Sequence, residues 1–265
     1  GLSGLFNHQN YAGSWLNFVW PFCIALFVEK KGFNIERLIT FGFLFSIGFA
    51  TFLTYSRNAW IGLLTSLIII SVNKIKKIIF TLITISIIFF YLLFSPLFVG
   101  DMQNNIRNFL PEKIILEFSE KGYEGLDATR SEIFLSGINL IKKNPIFGIG
   151  AGSFPVIYQQ ETGFKKGHSH NLLIELALSY GLLSAIIFFI SISYIVILSG
   201  INIFLSRKYD SSIFDKAFWA ALFFFLVSQL VDIQYLDGKI SILAWILTAG
   251  LKNIICDSNK KNIAI

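Results

Sequence analysis

The chain has 265 residues, of which 54% are hydrophobic and only 14% are charged, and its mean hydropathy is +0.66. Soluble domains carry about 25% charged residues. This composition excludes a disordered chain and argues against a soluble globular domain, because too few polar groups are present to cover the surface. The net charge is +6. The charged residues lie between long apolar runs, so they indicate membrane topology rather than nucleic-acid binding.

Seven apolar segments follow one another, and we predict an all-α, polytopic membrane helix bundle with about seven transmembrane helices. The segments lie near 11–28, 38–56, 59–72, 78–100, 172–205, 217–231 and 240–256. Two of them, 59–72 and 217–231, are short for a crossing, and 172–205 is too long for one. We expect the first turns of that long segment, around Glu175, to stand outside the lipid or to line a cavity.

Basic residues predict the sidedness. Each of the connections 30–37, 73–77 and 206–216, and the tail from 252, holds three Lys or Arg, whereas 56–58 and 232–239 hold one each. Short basic loops stay in the cytoplasm. The prediction is therefore four transmembrane helices in 1–100, a periplasmic loop with amphipathic helices in 101–171, and three transmembrane helices with a cytoplasmic tail in 172–265. This places Gly1 outside, which predicts an odd number of helices upstream if the full protein starts in the cytoplasm.

The long loop, 101–171, contains two helical patterns. One covers 104–120, and the other runs from Arg130 to Lys143, where Asp127 or Thr129 could cap its start and Asn144-Pro145 stops it. A glycine-rich turn follows at 148–152. It lacks the preceding strand and the lysine of a nucleotide-binding loop, so we interpret it as a close-packed turn.

Two arginines are candidate anion-binding residues. Arg57 lies in the short turn Ser56-Arg57-Asn58-Ala59-Trp60 between apolar segments, and Arg130 begins the second loop helix. A guanidinium donates a planar fork of hydrogen bonds to an anion. The alternatives are that Arg57 reaches lipid phosphate at the interface and that Arg130 pairs with Asp127 or Glu132.

Two of the three histidines, His168 and His170, lie directly before the segment that starts at 172. An imidazole titrates near neutrality, so either could accept a proton from a hydroxyl. A His-x-His pair could also be half of a metal site, but no third ligand is evident, and we predict no metal. Capping of the next helix by Ser169 or Asn171 is the structural alternative for the motif.

These residues together resemble the O-antigen ligase and O-antigen polymerase superfamily of bacterial membrane proteins. The resemblance rests on the order and spacing of four stretches: the opening Gly4 to Asn10, Ser56 to Gly62, Arg130 to Phe154, and His168 to Leu172 followed by Glu175 and Tyr180-Gly181-Leu182. Family members usually have ten to twelve membrane helices, which implies an N-terminally truncated member. Asn58 stands where the family usually has glycine.

The resemblance implies a metal-independent, inverting glycosyltransferase of the bacterial inner membrane, with its active site facing the periplasm. The expected partners are an undecaprenyl-diphosphate-linked glycan, an acceptor glycan or glycolipid, and membrane lipid, with no nucleic acid and no cofactor. Arg57 and Arg130 would bind the substrate diphosphate, His170 would be the catalytic base, and His168 the second candidate. The resemblance does not distinguish a ligase from a polymerase.

Two other function classes compete with this prediction. Some relatives are linked to inorganic-carbon accumulation, so a membrane transporter is the first alternative, and an inactive fragment is the second. A transporter places ionisable residues in the middle of its helices. Here the charges cluster at the outer ends of the apolar segments, which favours an enzyme whose site faces the membrane surface.

Overall fold

The computed structural model describes residues 1–32, 34–71, 129–206 and 209–263, together with a few isolated positions between 77 and 88. All regular structure in these ranges is helical, which confirms the all-α fold. The helices are α1 (Gln9–Glu29), α2 (Ile35–Leu53), α3 (Arg57–Ile70), α4 (Arg130–Lys143), α5 (Phe154–Thr162), α6 (Leu172–Tyr180), α7 (Leu182–Gly200, continued by a π-helical turn Ile201–Leu205), α8 (Ile213–Ser228) and α9 (Gly238–Ile263). The predicted helix 104–120 and nearly all of segment 78–100 lie outside the described residues.

The sequence explains where several helices begin. Thr129 caps α4 by accepting a hydrogen bond from the backbone of Glu132, and the Glu132 side chain bonds back to Thr129, which completes a capping box. The predicted start of this helix, with Thr129 as its cap, is therefore confirmed. Ser212 and Asp215 form the same arrangement at α8. Asn144 ends α4 before Pro145, as predicted.

Four of the described helices are long and apolar enough to cross a membrane. They are Gln9–Glu29, Ile35–Leu53, Leu182–Leu205 and Gly238–Ser258, and Arg57–Ile70 is a shorter apolar helix. The lipid-facing character is plainest on α2, where the phenylalanines Phe41, Phe43, Phe45, Phe49 and Phe52 are all exposed. Such a surface suits hydrocarbon and would be a liability in water. The chain is a multi-pass membrane protein.

Helix α1 lies at the centre of the bundle and packs against α2, α3 and α8. The rings of Phe18 and Phe225 are 4.8 Å apart and belong to an apolar core shared by α1, α7, α8 and α9. Towards α3 the approach is closer, because a Cβ at Gly13 would lie 2.7 Å from that of Ala59. The Asn17 side chain donates to the Ala59 carbonyl across this contact at 3.1 Å. The starts of α1 and α3 therefore lie side by side.

The long segment 172–205 is two helices, α6 and α7, separated at Gly181. This residue has φ +88°, and a Cβ on it would overlap the Ile146 carbonyl. The turn after α4 docks into the break: the Leu182 amide donates to the Pro145 carbonyl at 2.8 Å, and the Ile149 amide donates to Leu178 at 2.6 Å. The prediction that the first turns of this segment differ from its membrane-crossing part is consistent with this break.

Three connections that the charge pattern assigned to one side meet at one end of the bundle. The Leu172 amide at the start of α6 donates to the Gln229 carbonyl at the end of α8. Asn10, at the start of α1, donates to Asp232 just beyond α8. Gly13 lies one turn along α1 from Asn10 and touches Ser56 and Ala59 of the α3 start. The face of the membrane to which this end belongs stays a prediction.

Candidate active site

The histidine loop, residues 167–171, is held from both sides by hydrogen bonds. Ser169 is buried, and its amide donates to the Glu175 carboxylate at 2.9 Å. Asn171 caps α6 by accepting from the Ile174 amide, and its side-chain nitrogen donates to the Leu230 carbonyl at 2.9 Å. The capping role thus belongs to Asn171 rather than Ser169. Glu175 supports the backbone of the loop.

His170 adopts a left-handed backbone conformation with φ +57°. Tyr55, directly before Ser56 and Arg57, has φ +54°. Such conformations cost a non-glycine residue free energy and concentrate at functional sites. At His170 the conformation lets the backbone amide donate to Nδ1 of His168 at 3.2 Å while its own Nδ1 meets Oδ1 of Asp232 at 2.9 Å. The unfavourable backbone conformation of His170 thus occurs where its imidazole is directed towards Asp232.

Asp232 is buried and accepts hydrogen bonds at both carboxylate oxygens. Oδ1 faces Nδ1 of His170, and Oδ2 accepts from Asn10 Nδ2 at 2.7 Å and from Gln234 Nε2 at 3.0 Å. Burial alone would raise the pKa of Asp232, but the bonds from His170 and Asn10 outweigh burial and hold the pKa below its ordinary value. The ionised carboxylate can only accept. In the neutral imidazole Nδ1 of His170 is therefore the donor, and Nε2 keeps a free lone pair.

His168 differs from His170 in its electrostatic surroundings. Burial lowers the pKa of His168 to about 4, and the nearby His170, Arg130 and His8 act in the same direction against the opposing influence of Asp232. His168 is therefore neutral near pH 7. Because its Nδ1 accepts from the His170 amide, its proton resides on Nε2. His168 and His170 are in contact, with ring centroids 4.5 Å apart, and His8 lies close enough to influence the charge of His168.

His168, His170 and Asp232 each offer one ligand atom within 4.8 Å of the others, an arrangement that could hold a metal ion. The sequence hid the third member, because Asp232 lies 62 residues from His170. However, both oxygens of Asp232 and Nδ1 of both imidazoles already take part in hydrogen bonds. We therefore interpret the group as a hydrogen-bonded cluster in which Asp232 orients His170.

A cavity of about 270 Å³ opens beside this cluster. Its lining combines a cation, an imidazole and apolar side chains: Arg130, Phe134, Ser169, His170, Asn171, Leu230 and Val231. Arg130 is exposed at the first position of α4, where the amide groups of a helix start also favour an anion. Of its two suggested acidic partners, Glu132 bonds the amide and hydroxyl of Thr129, at 2.7 and 2.9 Å, and Asp127 lies outside the described residues.

Arg57 is the first residue of α3, at the same end of the bundle. The buried Ser56 caps the helix through the Ala59 amide, at 3.4 Å. The cavity that Arg130 shares with His170 is lined by α4, the histidine loop and the residues after α8, whereas Arg57 directly follows Ser56, which lies near Gly13 of α1. The four predicted site residues thus lie at one end of the molecule, with Arg130, His168 and His170 grouped and Arg57 on a neighbouring helix start.

The sequence analysis missed Asp232, Asn10 and the two glutamines beside Asp232. A signal was present, since Gln229 is a polar residue near the end of the apolar segment 217–231, and Asp232 and Gln234 follow that segment directly. Their burial, with Gln229 at 0% and Gln234 at 1% exposure, is a tertiary fact that the local pattern does not reveal.

A family profile described as O-antigen ligase matches residues 13–189, well over half of the chain. The matched stretch includes Arg57, Arg130, His168 and His170, and it ends before Asp232. A comparison with curated proteins finds no match.

Proposed function

Because the chain belongs to the O-antigen ligase family, we propose that it transfers a glycan from an undecaprenyl-diphosphate carrier to the hydroxyl of an acceptor glycan or glycolipid. The observation that best supports this proposal is the cavity that joins Arg130 to His170, with Asp232 behind the imidazole. A cation and a base on one cavity are the two groups that this reaction needs, one for the leaving diphosphate and one for the acceptor proton.

In the proposed reaction the acceptor oxygen attacks the anomeric carbon of the carrier-linked sugar from the face opposite the diphosphate. The new glycosidic bond forms as the bond between that carbon and the phosphate oxygen breaks, so the configuration inverts. The acceptor proton passes to Nε2 of His170. Asp232, bonded to Nδ1 at 2.9 Å, stabilises the imidazolium that results.

The diphosphate leaves with additional negative charge, which Arg130 stabilises from within the cavity and Arg57 from the neighbouring helix start. Guanidinium groups suit this role because they stay charged and donate in pairs to phosphate oxygens. The diphosphate ester is already activated, so the proposal includes no cofactor and no metal. His168 supports the loop through the His170 amide, and a pKa of about 4 makes it a weaker base than an ordinary histidine near pH 7.

The proposed location of the site is the periplasmic face of the inner membrane. Cysteine labelling tests it in a background in which Cys23 and Cys256 are replaced by serine. We expect Gln160→Cys to react with an impermeant maleimide in intact spheroplasts, and Lys31→Cys only after permeabilisation. Both positions are exposed. Reaction of both from the same side would contradict the topology.

The direct test of function is glycan transfer by purified full-length protein, supplied with an undecaprenyl-diphosphate-linked glycan and candidate acceptors. We expect release of undecaprenyl diphosphate together with a product that carries the inverted linkage, at equal rates with and without EDTA. Loss of transfer in EDTA that a divalent ion restores would contradict the metal-independent mechanism. Absence of transfer to any acceptor in the presence of an active relative as positive control would contradict the proposed function.

A further inference from the structure

His170 and Asp232 form a hydrogen-bonded pair, which we call the dyad. Behind Asp232 lies a buried row of two glutamine side chains. Gln229 is the residue after α8, and its Oε1 accepts hydrogen bonds from the backbone amides of Gln234 and Tyr235, both at 2.9 Å. Its Nε2 donates to Oε1 of Gln234 at 2.9 Å and to the Ser228 hydroxyl at 3.0 Å. Gln234 Nε2 then donates to Oδ2 of Asp232 at 3.0 Å.

The orientation of both side-chain amides in this row is determined by Gln229. Two backbone amides can only donate, so the oxygen of Gln229 must face them and its nitrogen must face Gln234. That nitrogen requires an acceptor, which turns the oxygen of Gln234 towards Gln229 and its nitrogen towards Asp232. A flipped Gln234 would place an amide oxygen against a carboxylate and a donor against a donor. Each amide orientation therefore follows from the one before it.

Gln229 also connects the row of glutamines to the end of the histidine loop. The Gln229 carbonyl accepts from the Leu172 amide at 2.9 Å, at the start of α6. Gln229 and Gln234 are almost fully buried, so water does not compete for these hydrogen bonds, and an unmade one would be costly. The two glutamines and His170 are thus linked by buried hydrogen bonds, through Asp232 and through the start of α6.

We propose that Gln234, oriented by Gln229, is a positioning residue that keeps Asp232 as an acceptor for His170 and so keeps the imidazole proton on Nδ1. The role in catalysis rests on the proposed function, whereas the effect on the imidazole proton does not. Free histidine in its neutral form favours a proton on Nε2, so the tautomer in the dyad reports the influence of Asp232. Other ionisable groups around the dyad are His168, Arg130 and His8, with Tyr11 near Asp232 and Asp237 near Tyr11.

The decisive variant is Gln234→Glu, which keeps the shape and the bond from Gln229 but replaces the donor to Asp232 by a second carboxylate. Two carboxylates about 3 Å apart share a proton or move apart, so Oδ1 becomes a poorer acceptor for His170. Gln234→Met removes the donor without adding charge and should act in the same direction more weakly. The matched control is Gln160→Glu, the same change on the exposed side of α5.

Two measurements are made on full-length protein in detergent or nanodiscs. The first is ¹⁵N NMR of histidine-labelled protein, whose shifts distinguish Nδ1–H from Nε2–H imidazoles, with His170→Asn used for assignment. We expect His170 to be Nδ1–H in the parent and in Gln160→Glu, and to become a mixture in Gln234→Glu. The second is steady-state transfer, in which kcat should fall by about 10- to 100-fold, by analogy with the loss of an outer hydrogen-bond partner of a metal-bound histidine, with little change in KM.

A folded Gln234→Glu protein that keeps both the parent tautomer and the parent kcat would overturn the inference, and so would an equal loss in Gln160→Glu. A tautomer change in a chain whose parent shows no glycan transfer would support the positioning role while refuting the proposed function. A fall in kcat with the parent tautomer retained would refute the positioning role and leave the proposed function intact.

Discussion

Two segments supply residues to the candidate site: the histidine loop, residues 167–171, and the connection between α8 and α9, residues 229–237. They differ in how readily the sequence reveals them. The loop carries a recognisable motif inside the stretch that the family profile matches. The connection lies beyond that stretch and contains the carboxylate that bonds His170. The comparison teaches that a motif identifies the histidine, while a distant segment supplies the carboxylate to which it bonds.

The most severe way to test the histidine loop is His170→Ala. General-base assistance is worth about 10²- to 10⁴-fold in rate, and we expect a loss of kcat in that range, with the protein still inserted and lipid-bound. Glycan transfer by purified protein measures it, with Gln160→Ala as the control on an exposed surface. Parent activity in His170→Ala would move the base to His168 or remove the role.

Arg130→Ala should have the next largest effect, because the loss of one charge-stabilising donor costs about 10²- to 10³-fold in kcat. Arg130→Lys and Arg57→Lys should each recover only part of the activity, since a lysine keeps the charge but loses the planar fork. Arg37→Lys, at the opposite end of the bundle, is the matched control. Rates equal to the parent in all three site variants would contradict the proposal that Arg130 and Arg57 stabilise the leaving diphosphate.

Asp232→Asn tests the connection itself. The amide keeps the shape but offers Oδ1 only if its nitrogen faces the donors from Asn10 and Gln234. We therefore expect a mixed imidazole tautomer and a fall in kcat smaller than that of Arg130→Ala, through the loss of the correct tautomer that also impairs Ser-His-Asp triads. KM should change little. Asp210→Asn, on an exposed residue, controls for the change of charge. If Asp232→Asn matches Asp210→Asn, the connection has no part in orienting His170.

The smallest expected effect concerns stability and pH. His168 resists protonation in the folded state until about pH 4, whereas an unfolded histidine takes up a proton near pH 6.5. The unfolded state therefore binds more protons between these values, and stability should fall as the pH decreases from about 6.5 to 4. Thermal unfolding in detergent should show a smaller decrease for His168→Gln than for the parent. Equal decreases would place the protonation elsewhere.

Local chemistry made much of this architecture predictable. The apolar runs predicted the helices, Thr129 and Asn144 bounded α4 as expected, and the resemblance to the ligase and polymerase superfamily implied that Arg130, His168 and His170 share a site. Gly181 could have indicated the division of segment 172–205, but the docking of Ile146 against it is a contact between distant residues. The same holds for Asp232, whose partners Asn10 and His170 lie 222 and 62 residues away. Periodicity and capping act within a few turns, so they carry no information about such pairs.

The hydrogen bond between Asn10 and Asp232 also bears on the biosynthesis of the protein. A membrane protein is made from its N-terminus, and its helices enter the bilayer in sequence order. The histidine loop emerges before α8, yet Asp232 becomes available only after α8 has been made, when it can meet both Asn10 and His170. A nascent chain that already displays Arg57, Arg130 and His170 therefore lacks the carboxylate that bonds His170. The pairing of His170 with Asp232 is therefore tied to the insertion of α8, which packs against α1.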